Sequence, residues 1–136
     1  NEVVIEDIDS LGYPQPPSNL TAQAVTGGRI ELSWDSSPSD DVKQYNIYYD
    51  AGSGVIDYDN PLASVTSVQD YIGRLTYRYV TPVLEHGVLY TFGVRAENMA
   101  GVEEKNTDVV ASAAADLYGP SKPSVSISGA YGGRIL

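Results

Sequence analysis

The chain has 136 residues, 42% of them hydrophobic, with 18 acids against 8 Lys and Arg for a net charge of −10. That length suits one domain with extensions, and the acidic balance argues against nucleic acid or an anionic membrane surface as partner, because phosphates call for a basic footprint. With no cysteine in the sequence, disulfides, thiolate metal sites and a cysteine nucleophile are excluded, and no apolar run reaches the length of a membrane span.

In chain order, residues 1–13 read as an acidic linker or extension, with Glu2, Glu6, Asp7 and Asp9 among Val3, Val4, Ile5 and Ile8. No basic start leads into an apolar stretch as in a signal peptide. A chain opening at Asn1 reads as a fragment of a longer polypeptide. Pro14, Pro16 and Pro17 then stiffen an extended approach to a domain placed at 14–118.

From Ser18 the rhythm has period two, which predicts strands. Leu20, Ala22 and Ala24 alternate before a Gly27-Gly28 turn. Arg29 to Asp35 alternates with Ile30, Leu32 and Trp34 facing in, which makes Trp34 the expected central core aromatic rather than a binding residue. Ser36 to Asp41 is a loop by composition. Val42 to Asp50 carries Tyr45, Ile47 and Tyr49 on one face and Tyr48 on the other, beside Arg95. A long irregular region, Val55 to Gly73, is expected to hold a short edge strand between Leu62 and Val68, since Pro61 at its start suits an edge. Leu75, Tyr77 and Tyr79 alternate next.

The pivotal stretch is Leu84 to Gly101. Tyr90, Phe92, Val94 and Ala96 point inward, while Thr91, Gly93, Arg95 and Glu97 point outward, as in a half-buried strand. Leu84, Gly87 and Tyr90 have the spacing of a tyrosine corner, where the phenol reaches back to an upstream main-chain group. A last strand is expected within Thr107 to Ala115. Eleven tyrosines against one Trp and one Phe suit sandwich strands, where a ring is buried and its hydroxyl finds a partner. Seven strands without helical periodicity predict an all-β, seven-stranded antiparallel β-sandwich.

Residues 119–136 read as a linker and the truncated start of a second repeat, the alternative being a C-terminal extension that packs on the domain or stays mobile. Gly132-Gly133-Arg134-Ile135 copies Gly27-Gly28-Arg29-Ile30 at an offset of 105, Gly132 falling on Gly27.

Taken together, the proline-led first strand, Trp34 in the second, Tyr45 with Tyr49 in the third, the Leu84–Gly87–Tyr90 corner and the strand closing at Asn98 and Gly101 resemble a fibronectin type III domain, of the style of bacterial or phage surface repeats. His86 stands where that family usually has proline. The resemblance implies that strands one, two and five form one sheet and strands three, four, six and seven the other. It also implies a module that spaces, displays or binds, rather than an enzyme. Trp34, Leu84, Gly87 and Tyr90 are its structural residues. No Arg-Gly-Asp triplet is present, so integrin-type adhesion is not expected.

Candidate chemistry is sparse. His86 is the only histidine, and Glu85 beside it would point the opposite way along a strand, so no catalytic set assembles. Nothing singles out a glycosidase-like pair among the acids. Asp57, Asp59 and Asn60 have Ca²⁺-like spacing but lack the following glycine and distant glutamate of an EF-hand. A solvated polar loop explains them, and Asp40 with Asp41 would join only if the two loops met. Tyr58 and Tyr71, loop aromatics without a core phase, are the candidate ligand contacts, for stacking on sugar or anchoring a protein. The more ordinary reading is that they cover a hydrophobic flank. The expected function is a spacer and display module of a larger surface, secreted or virion protein, with neighbouring domains of the same chain as partners and no cofactor. The alternatives are a carbohydrate- or protein-binding module and an accessory domain of a secreted glycoside hydrolase.

Overall fold

The computed structural model describes residues 12–68 and 74–118. Seven strands follow in order: β1 Ser18–Val25, β2 Arg29–Asp35, β3 Val42–Tyr49, β4 Ala63–Thr66, β5 Thr76–Val80, β6 Leu89–Asn98 and β7 Val110–Ala114. They form two antiparallel sheets, β1-β2-β5 and β4-β3-β6-β7. The described residues contain no helix.

The core forms where the inward faces meet. Ile30, Leu32 and Trp34 of β2 oppose Tyr45 and Ile47 of β3 and Phe92, Val94 and Ala96 of β6, all close to fully buried. Trp34 packs edge-on to Tyr45 at 5.8 Å and stacks on Tyr77 at 6.1 Å. Tyr49 stacks on Tyr90 and Phe92 at about 6 Å. The tyrosine hydroxyls find partners at the rim: Tyr45 accepts the Ser37 N–H at 2.8 Å, and Tyr77 accepts the Val68 N–H at 3.0 Å. Burial pushes the Tyr45 phenol up to about 12. Trp34 is the exception, because its Nε1 is buried with no hydrogen-bond partner among the described residues.

The corner forms as its spacing predicts. Tyr90 Oη accepts the Glu85 N–H at 3.1 Å. Gly87 sits at φ +82 in the turn between them, where a side chain would be strained, and the Leu84 N–H reaches Gly28 O at 2.7 Å.

Alternation fails as a guide on one face. Asn46, Tyr48 and Arg95 occupy outward positions of β3 and β6, yet are only 5%, 4% and 7% exposed. The expected half-buried sheet is in fact buried on both sides along its middle. Two loops, 55–61 and 103–108, fold over its outer face and supply the cover.

Candidate functional site

This covered face holds the densest set of polar side chains in the described residues. Asn46 is its hub on β3. Its Oδ1 accepts from Gln44 Nε2 at 2.9 Å and Ser64 Oγ at 2.7 Å, and its Nδ2 donates to Glu97 Oε1 at 3.0 Å and Glu103 Oε2 at 2.8 Å. Tyr48 donates its phenol to the same Glu103 carboxylate. Burial, and then that bond, push the Tyr48 phenol well above its usual range. Arg95 lies 3.6 Å from Glu103 Oε1 and donates Nε–H to Asn106 O at 2.9 Å.

Tyr58 closes the arrangement. Its ring lies 3.7 Å from the Arg95 guanidinium carbon and 5.3 Å from the Tyr48 ring, a cation–π stack with an aromatic neighbour. Gly93 makes room for it, because a Cβ there would meet Tyr58 Oη at 2.8 Å. The candidate ligand aromatic is therefore half-buried and engaged by the fold. Tyr71, its proposed companion, lies outside the described residues.

Behind this layer, Glu104 is 3% exposed. One carboxylate oxygen accepts the Ala96 N–H at 2.9 Å and the other the Asn106 N–H at 2.7 Å, while the Asn106 amide donates to both. Burial raises its pKa against those bonds. Asn46, Tyr48, Arg95, Glu103, Glu104 and Asn106 all bond within this face or to its backbone, so the face is a closed network rather than an open receptor. Asn46, Arg95 and Glu103 escaped the sequence reading as a cluster. The signal that could have found them is Gly93, a glycine in a strand interior, which marks close approach of another group.

The acidic loop is also self-satisfied. Asp57 accepts the Asp59 N–H at 2.9 Å and the Asn60 amide at 3.0 Å, and these bonds hold its carboxyl below the usual range. Asp41 and Asp57 flank opposite ends of β3, about 25 Å apart along eight residues, so the two acidic loops do not meet. Among the described residues, no group of three or more His, Cys, Asp or Glu is placed to hold a metal. His86 sits in the corner turn, where its Nδ1 accepts the Leu117 N–H at 3.1 Å.

The remaining feature is where the chain joins and leaves the sandwich. At the leading end, Pro14 is fully buried, Asn98 Nδ2 donates to Gly12 O at 2.9 Å, and Gln15 bonds Ser39 and Ser37. At the trailing end, Ala115 exchanges bonds with Gly87 and Val88, and Asp116 O accepts the Gly28 N–H. Asn98 and Leu89 are the two ends of β6. Ten residues of strand, roughly 30 Å, therefore separate the points where the chain is fastened.

Residues 15–112 match the fibronectin type III domain family. The crystal structure of FN3tt is similar, with 21% identity and a TM-score of 0.56 over 76% of this chain and 95% of that one. A β-1,2-glucanase from Parabacteroides distasonis shares 22% identity at a TM-score of 0.55, and the match covers 74% of this chain but 12% of the glucanase. The twitchin kinase region from C. elegans gives 21% identity and a TM-score of 0.54 over 79% of this chain and 17% of that one. These likenesses establish a shared sandwich. Fibronectin type III domains are modules of multidomain proteins and are generally non-catalytic, and with the family match over most of its length, this chain belongs to the fibronectin type III domain family.

Proposed function

We propose that this domain is a non-enzymatic spacer and display module in a tandem array within a larger surface, secreted or virion protein. The observation that carries this reading is the fastening of the chain at opposite ends of the sandwich, at Gly12 and at Ala115–Asp116. A module held this way adds its own length to a string instead of folding the string back. Its partners are the neighbouring domains. The Gly132–Ile135 copy of Gly27–Ile30 supports the tandem arrangement.

Small-angle scattering of the native polypeptide tests this reading. An array should lengthen by about 30 Å per module, the span of a strand such as β6. A compact particle of unchanged length would sink it. Binding to a glycan panel that disappears in Tyr58→Ala would replace the spacer with a carbohydrate-binding module.

A further inference from the structure

We infer that the outer edge of β7 takes up an extended protein segment with basic residues at both ends, as an added antiparallel strand. This goes beyond the spacer reading and does not depend on it.

The phase of the β6–β7 ladder fixes which groups are on offer. The Val94 N–H bonds Val109 O at 3.4 Å, and the Ala115 N–H bonds Val88 O at 3.1 Å. In an antiparallel pair such bonds recur at every second residue, so Ala111 and Ala113 also turn their main chain to β6. Val110, Ser112 and Ala114, opposite Gly93, Thr91 and Leu89, turn theirs outward. Their main-chain N–H and C=O groups bond no other described residue. Ser112 spends only its side chain, on Thr91.

The other three sheet edges are guarded, and this one is not. β4 has only four residues, β5 carries Arg78 on its exposed side, and β1 has a bulge where Ser18 pairs with Asp35 but Thr21 with Ser33. Each of these features discourages strand addition. β7 is Val-Ala-Ser-Ala-Ala, regular in register and without charge, proline or glycine. β1 lies beside it but pairs only with β2. Pro16 and Pro17, on the approach to β1, have no N–H with which to close the gap. A groove of about 460 Å³, lined by Pro16, Pro17, Leu20, Asp108 and Val110, separates the two. An incoming strand therefore finds room as well as hydrogen-bond partners.

Charge selects the occupant. Asp108 and Asp116 flank β7, each four residues from Ser112. A second copy of β7 paired about Ser112 would set Asp108 against Asp116 at both ends, between chains that each carry −10. Like charges placed opposite one another oppose pairing. A segment with Lys or Arg at two positions eight residues apart sets opposite charges there instead. Small or β-branched residues between them suit the shallow surface of Val110, Ser112 and Ala114.

The test is a titration of the whole ¹⁵N-labelled chain with the capped synthetic peptide Lys-Thr-Val-Thr-Thr-Thr-Val-Thr-Lys. Amide hydrogen exchange should slow at Val110, Ser112 and Ala114. It should stay unchanged at Ala111 and Ala113, whose N–H groups already bond β6. Ser112→Pro removes the central outward donor without removing a main-chain bond to β6, and should weaken binding about tenfold or more. Asp108→Lys, an exposed change just outside the strand, should weaken it about fivefold. Replacing the peptide's C-terminal Lys, which faces Asp108 in the antiparallel register, with Glu should then restore the affinity. No protection at the highest soluble peptide concentration, shifts confined to another surface, or unchanged affinity in both variants would overturn the edge site. So would a concentration-dependent dimer of the peptide-free chain with the same three amides protected, because the edge would then belong to a second copy.

Discussion

The outer faces of the two sheets differ in kind. On β1-β2-β5 the outward side chains are half-buried to exposed with no loop over them, and their ion pairs are loose: Arg78 lies 3.8 Å from Glu31 and Arg74 3.6 Å from Asp35, with both arginines about two-thirds exposed. On β4-β3-β6-β7 the equivalent positions are roofed by two loops, and Arg95 is buried against Tyr58 and Glu103. The same alternation of residues produces a wet face in one sheet and a dry one in the other. The contrast shows that strand periodicity sets direction, while loop length decides what lies in that direction.

Substitutions should separate the two faces by size of effect. Arg95→Ala removes the nearer of two cations from half-buried Glu103, leaving Lys105 Nζ at 3.9 Å, frees the Asn106 carbonyl, and should cost about 3 kcal/mol in chemical denaturation. A loss below about 1 kcal/mol would make the dry face no different from the wet one. Gly93→Ala puts a methyl group against the Tyr58 hydroxyl and should cost about 1–3 kcal/mol. In the double variant Gly93→Ala with Tyr58→Ala, that penalty should shrink, since the obstructed ring is gone. Tyr58→Leu keeps bulk but loses the cation–π stack, for about 1–2 kcal/mol. Arg78→Ala on the open sheet should change stability by less than about 1 kcal/mol, an effect that salt erases.

Much of the fold could be read from residues alone. β2 spans Arg29–Asp35 as its alternation predicts, and the Leu84–Gly87–Tyr90 spacing yields the Tyr90 to Glu85 bond. Both depend on neighbours in sequence or on a rule of fixed spacing. The roof over β3 and β6 could not be read that way. Asn46 meets Glu103 across 57 residues of chain, and Arg95 reaches the same carboxylate from β6, through a loop that has no period. That Tyr58 covers a flank was the more ordinary reading, but nothing local says which residues a loop aromatic will lie against.

The lone indole at the centre of the sandwich makes this protein its own optical probe. Trp34 is the single tryptophan, fully enclosed, with an N–H that has no hydrogen-bond partner among the described residues. The core around it is built of aliphatic and aromatic side chains, which give its excited-state dipole little to relax against. The folded protein should therefore emit far to the blue and resist collisional quenchers. Its two aromatic neighbours, Tyr45 and Tyr77, lie close enough to pass excitation to it. Any loosening of the core would appear as a red shift before the strands themselves came apart.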